Sequence, residues 1–153
     1  MKSQGTRANY TGKTLQNFIS NRLKEKGYQL VDKKHFNPAR YLGQPIFTPQ
    51  YPIGKSIYGT DMKCDFILYH PEKHENCLII ESKWQQSGGS VDEKFPYLVA
   101  NIKEKYPFET IIVLDGKGYK KEAETWLRRQ TDKKLVHVFS MSEFQKWSNS
   151  DEL

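Results

Sequence analysis

Cysteine is scarce in this chain: Cys64 and Cys77 are the two present among 153 residues. Two cysteines are too few for the disulfide framework that holds small secreted domains together, so the fold must rest on a packed core. Long apolar runs are lacking as well. None approaches the roughly 20 residues needed to cross a bilayer, and the opening MKSQGTRANYTGK lacks the apolar stretch of a secretory signal. The expectation is a cytoplasmic protein with no membrane partner. Mean hydropathy is low at −0.78, yet aromatic residues make up 13% of the chain, too large a share for disorder. No internal repeat or low-complexity segment is present. The length suits one domain, expected over 11–150 behind a flexible polar tail over 1–10.

Acidic charge is in deficit too. Eighteen Asp and Glu against 24 Lys and Arg leave a net charge of +6, which favours polyanionic partners because each phosphate neutralised releases counterions.

From Thr11 to about Gly27, Leu15, Phe18, Ile19 and Leu23 recur at helical spacing, and Gly27 suits the stop. Tyr28–Val31 reads as a short extended stretch. A loop is expected over His35–Pro52, since Pro38, Pro45, Pro49 and Pro52 argue against a long helix or a central strand. Three strands follow, at about Ile53–Tyr58, Lys63–Tyr69 and Cys77–Trp84, the last two joined through HPEKHEN. Ser87-Gly88-Gly89 breaks the third strand. A helix is expected from Ser90, capped with Glu93, and its apolar face runs through Val91, Phe95, Leu98, Val99 and Ile102. Pro96 gives that helix an irregular start. Thr110–Leu114 reads as a buried strand, Tyr119–Arg129 as a helix with Ala123, Trp126 and Leu127 inward, and Leu135–Phe139 as a further strand. A last capped helix starts at Ser140 or Ser142. The order implies an α/β fold: a mixed sheet flanked by helices, antiparallel first and parallel after Ser90.

The chemistry lies at the hairpin, KCDFILYHPEKHENCLIIESKWQ. Residues two apart in a strand share a face, so Glu81 and Lys83 point one way while Ile80, Ser82 and Trp84 point the other. Folding the chain about the turn at Lys73-His74 brings Asp65 opposite either Glu81 or Lys83, and cross-strand neighbours sit roughly 5 Å apart. Two carboxylates and one ammonium therefore converge. Carboxylates this close repel unless a cation lies between them, and oxygen ligands suit Mg²⁺, with Mn²⁺ as substitute. Lys83 beside such an ion could orient or deprotonate a water, or neutralise charge on phosphorane oxygens. A plain salt bridge between neighbouring strands is the alternative. Against it stands the placement of these charges at the end of an apolar strand, followed by a glycine break and a helix.

Asp65 followed by Glu81-Ser82-Lys83, with this spacing and element order, resembles the PD-(D/E)xK phosphodiesterase superfamily. The resemblance covers the chain from Thr11 to about Phe139, and ESKWQQSGGSVDEKFPYLV is similar to small bacterial and phage members. It implies a restriction-endonuclease-like α-β-β-β-α-β core, with an additional helix-strand-helix after it. It also implies an Mg²⁺-dependent endonuclease, of restriction or phage/mobile-element type, acting on DNA that is duplex or branched. On the same footing Asp65 and Glu81 bind metal, the Ser82 carbonyl adds a ligand, Lys83 is catalytic, and Gln85 supports it. Members often carry a Glu on the first helix, in a pattern like G-x-x-L-E. Here Gly12-Lys13-Thr14-Leu15-Gln16 places Gln16 at that position. A neutral amide can still hydrogen-bond a metal-bound water, and Glu25 or Asp61 could supply the missing acid.

Arg40, Lys55, Lys63 and Lys94 are candidate nucleic-acid contacts, with Lys117, Lys120, Lys121, Arg128 and Arg129 as further basic residues. Cys64, His70, His74 and Cys77 surround the hairpin, but zinc sites use tighter paired spacing, so core cysteines and turn histidines are the better reading. Cys64 is expected to face away from the carboxylates. Gly54-Lys55-Ser56 lacks the full phosphate-loop pattern. Two other readings stand beside the nuclease. One is an inactive nucleic-acid-binding module on the same scaffold, favoured by Gln16. The other is the nuclease subunit of a larger assembly, since 153 residues leave little room for a separate recognition domain unless a homodimer provides it.

Overall fold

The structure is a computed structural model. It describes residues 4–153 except Leu42 and Ser87, with side chains from Gly12 onward; the strand break expected at Ser87 lies outside the described residues. Helix α1 spans Gln4–Glu25, β1 Gln29–Leu30, β2 Ile46–Lys55, β3 Asp61–His70 and β4 His74–Trp84. Then come α2 Phe95–Glu104, β5 Thr110–Asp115, α3 Lys121–Arg128, β6 Leu135–Ser140 and α4 Met141–Ser148. The six strands form one sheet in chain order. The β2–β3 and β3–β4 pairs are antiparallel, whereas β1–β2, β4–β5 and β5–β6 are parallel. This is the mixed sheet expected, with a restriction-endonuclease-like core.

Each sheet face buries one layer. On the first, Leu15, Ile19 and Leu23 of α1 and Phe144 of α4 pack on Phe47, Phe66, Leu68, Leu78, Ile80, Ile111 and Val113. On the second, Phe95, Leu98, Val99 and Ile102 of α2 and Leu127 of α3 pack on Ile46, Ile67, Ile79, Ile112 and Leu114. The i, i+4 spacing of α1's apolar residues makes the first layer possible, and period-two alternation in β4 sends Ile79 and Ile80 to opposite layers. Among the described residues no helix is long and apolar enough to cross a membrane.

Several local expectations change. Helix α1 starts at Gln4 rather than Thr11, so the helix takes in most of the segment read as a tail, of which residues 1–3 lie outside the described ones. Strand β2 runs through Pro49 and Pro52 instead of starting at Ile53. The reason is that β1 covers β2 only at Ile46 and Phe47; beyond them β2 is an open edge, where a missing N–H is tolerated. Helix α2 begins at Phe95 after a 3-10 turn at Asp92–Lys94, so the Ser90 capping box does not form. Pro96 fits the first turn of a helix, and the Val91 N–H donates to the side-chain oxygen of Gln85 instead (2.9 Å). Trp126, expected inward, is exposed. The last helix starts as read: Ser140 and Glu143 form its capping box.

Candidate functional site

Glu81 is on the α2 side of β4, two residues beyond Ile79, and is 3% exposed. A carboxylate so enclosed must be satisfied. Its Oε1 accepts a hydrogen bond from the Tyr106 hydroxyl at 2.8 Å. Burial first, then the charge of Asp65, pushes the Glu81 carboxyl up to about 8, while Lys83 and Tyr106 pull it down. Burial and the same Glu81 raise the Tyr106 phenol. Tyr106 was not singled out from the sequence. It follows the C-terminus of α2, and nothing local in KEKYPF announces a partner 25 positions earlier.

Asp65 approaches from β3. The β3–β4 ladder ends at Phe66↔Ile80, and continuing its register sets Asp65 opposite Glu81, the first of the two alternatives. One Asp65 oxygen, Oδ2, accepts from the Ser82 N–H (2.8 Å) and hydroxyl (3.0 Å). The other, Oδ1, makes a long contact with the Gln50 amide at 3.4 Å, and the Asp65 side chain also interacts with that of Glu81. Alternation breaks here. Cys64 packs in the α2-side layer with Ile79, Phe95 and Tyr106, not on the far side, and burial followed by the charge of Glu81 raises its thiol. Gln50 lies between Pro49↔Phe66 and Tyr51↔Cys64 in the β2–β3 register. Its left-handed φ of 54° twists the edge at that point.

Asp65, Glu81 and Lys83 line one pocket of about 450 Å³, together with Lys63, Lys94, Tyr97, Asn101 and Tyr106. A family model described as PD-(D/E)XK nuclease superfamily domain matches residues 7–152. The chain belongs to the PD-(D/E)XK nuclease superfamily. No curated protein and no solved structure matches it significantly.

PD-(D/E)XK nucleases generally depend on a divalent metal, and the donors in this pocket fit one. Asp65 Oδ1 and the Glu81 oxygen not held by Tyr106 are hard oxygen donors in a buried setting where two carboxylates crowd. No group of three or more His, Cys, Asp or Glu that could hold a metal is gathered among the described residues. One or two carboxylates with water and substrate oxygens are how Mg²⁺ is commonly held.

The remaining sequence candidates divide. Lys63 and Lys94 line the pocket; Arg40 and Lys55 do not. Lys55 is paired with Asp61 at 2.6 Å, both exposed. Asp61 itself reaches the pocket lining, whereas Glu25 pairs with Arg22 on α1. Gln16, which the resemblance sets at the metal-supporting position, is half-buried and outside that lining, because the core residues of its helix pack on the opposite sheet face. Gln85 is buried but serves the backbone. Its Nε2 donates to the Gly118 carbonyl (2.7 Å) and its Oε1 accepts from Val91, joining the start of α2 to the loop after β5. Arg128 ties α3 to α4 through Glu143 and pairs with Glu124 within α3. His70 Nδ1 accepts from the Glu72 and Lys73 N–H groups in its own turn, which is the turn role expected.

The raised Glu81 carboxyl makes stability pH-dependent. Between its ordinary 4.5 and about 8 the folded protein holds a proton that the unfolded chain has lost, so stability falls as pH rises through that window. In the absence of divalent metal, thermal melts from pH 5 to 8 should show this decline, and Glu81→Gln should flatten it. An equal slope in both proteins would remove Glu81 as the source.

Proposed function

We propose that this chain is a magnesium-dependent deoxyribonuclease that hydrolyses phosphodiester bonds within DNA, duplex or branched. Mn²⁺ would substitute for Mg²⁺, and the setting would be the cytoplasm of a bacterial or phage-infected cell. The observation that carries this reading is the single pocket lined by Asp65, Glu81 and Lys83, with Lys63 and Lys94 at the same pocket. Asp65, Glu81 and the main-chain carbonyl of Ser82 would hold the ion. When bound, a divalent cation polarises the phosphodiester and makes a nearby water more acidic.

The chain's own groups do the rest. Ser82 fixes the Asp65 carboxylate through two hydrogen bonds to one oxygen, leaving Oδ1 directed elsewhere. Tyr106 does the same for Glu81. Such fixing reduces the reorganisation needed as charge develops. Lys83 lines the same pocket and its charge acts on Glu81; its ammonium would donate to the scissile phosphate or to the attacking water. Lys63 and Lys94 hold flanking phosphates without reading sequence. Gln16 lies outside the pocket lining, so its neutral side chain subtracts no donor from that lining. Target choice would come from a homodimer or a partner.

A panel of end-labelled duplex, branched and single-stranded DNA, with RNA alongside, tests this in Mg²⁺, Mn²⁺ or EDTA. Internal cuts in DNA, abolished by EDTA, are the expected result. Failure to cut any substrate with either metal would leave the binding-module reading in its place.

A further inference from the structure

Beside the pocket lies a feature that hydrolysis does not use. Tyr58 is 77% exposed, and Tyr97 of α2 is 39% exposed. Their rings are stacked, with centroids 5.2 Å apart and planes 18° from parallel. Tyr97 lines the pocket that holds Asp65, Glu81 and Lys83, so the ring pair extends that pocket outward.

The turn carrying Tyr58 is built to hold it there. Ser56, itself buried, accepts at Oγ from the N–H groups of Tyr58 (3.1 Å) and Thr60 (3.2 Å) and shares a hydrogen bond with the Thr60 hydroxyl (2.7 Å). The buried Asn101 of α2 accepts from the Ile57 N–H at 2.8 Å. Hydrogen bonds from Ser56 and Asn101 also hold the Tyr97 phenol below its ordinary value. A flexible loop tip has no need of such anchoring. An aromatic ring kept exposed on a fixed turn loses little entropy when something stacks on it. Lys63 and Lys94 line the same pocket, so the partner that fits is anionic as well as flat. Surface tyrosines stacked only on each other would lack this electrostatic partner.

We propose that Tyr58 and Tyr97 form a platform on which an unpaired nucleobase of single-stranded DNA stacks, beside the phosphate bound at the pocket. The placement of that phosphate rests on the nuclease reading above; the stacking itself does not. The platform favours strands whose bases are free, such as flaps, ends or the single-stranded arms of branched DNA, over continuous duplex. Stacking of this kind tolerates any base, because each presents a π face.

The test is fluorescence anisotropy in EDTA, with a labelled single-stranded oligodeoxythymidylate and a duplex of equal charge. Wild type should bind the single strand more tightly. Tyr58→Ala should weaken single-strand binding about tenfold, within the span known for one stacked base, and change duplex binding less than about twofold. Tyr58→Phe, which keeps the ring, should restore it. Four results would overturn the platform: no single-strand binding by wild type, an unchanged Kd in Tyr58→Ala, equal weakening on both DNAs, or a Tyr58→Ala effect that sedimentation traces to loss of a dimer. Cleavage is scored separately with Mg²⁺. Tyrosine-dependent binding without cleavage would sink the nuclease and leave the platform standing; cleavage by a protein whose single-strand Kd is unchanged in Tyr58→Ala would do the reverse.

Discussion

Replacing Lys83 by alanine is expected to slow single-turnover cleavage of DNA by about 10²- to 10³-fold, the range seen when one fixed electrostatic donor is removed from a transition state. The effect should appear in the chemical step. Lys83 is half-buried at the end of β4, so truncation opens no core cavity, and thermal stability should stay near that of the wild type. Mn²⁺ binding should persist as well, because Asp65 and Glu81 keep their supports from Ser82 and Tyr106. Rapid-quench kinetics at saturating protein, beside Mn²⁺ titration of both proteins, separate the two. An unchanged rate would place the essential cation elsewhere, with Lys63 and Lys94 the nearest alternatives in the lining.

Gly116→Ala should be strongly damaging for a single added methyl group. Gly116 has φ +96°, and a Cβ built there would lie 2.1 Å from the Gln85 carbonyl oxygen and 2.7 Å from its carbon. Both are backbone atoms, so no side chain can move aside. The left-handed conformation alone costs an alanine about 1–2 kcal/mol. The clash must then push the loop after β5 away from the end of β4, breaking the Gly118 N–H bond to the Gln85 carbonyl and straining the Gln85 N–H bond to Asp115. A loss of about 3 kcal/mol or more is expected. Gly27→Ala is the control. It has a similar φ of +91° and nothing within 4 Å of the added atom, so only the conformational cost of about 1–2 kcal/mol applies. Urea melts of the two variants should therefore differ clearly. Equal losses would mean the loop yields freely. Since Gln85 is two residues beyond Lys83, Gly116→Ala should also lower cleavage, even at temperatures where it stays folded.

What could be read from the sequence was short in range. Asp65, Glu81 and Lys83 come together because a turn and a two-residue period place them so, and both are local properties. Strands β3 to β6 and the capping box at Ser140 were readable for the same reason. Three features were not. Tyr106 reaches Glu81 only because α2 returns along the sheet, a tertiary fact. Cys64 lies on the carboxylate side because alternation breaks beside Gln50, whose left-handed φ nothing about glutamine announces. The prolines of β2 looked like a loop because nothing in the chain tells that β1 is two residues long and leaves an edge. Gln85 was noticed for its position two residues past Lys83. Its work is to fasten two loops, which its spacing alone could not reveal.

Conversion of supercoiled plasmid by wild type and by Asp65→Asn across a Mg²⁺ titration is the most direct test of the central claim, that Asp65 and Glu81 hold the cation that drives DNA cleavage. The variant keeps the size of the side chain and removes its charge. Wild type should nick or linearise the plasmid with a saturating dependence on Mg²⁺ that EDTA reverses, and Asp65→Asn should leave it supercoiled at every concentration. Equal conversion by the two proteins, or conversion by wild type that EDTA does not touch, would contradict it.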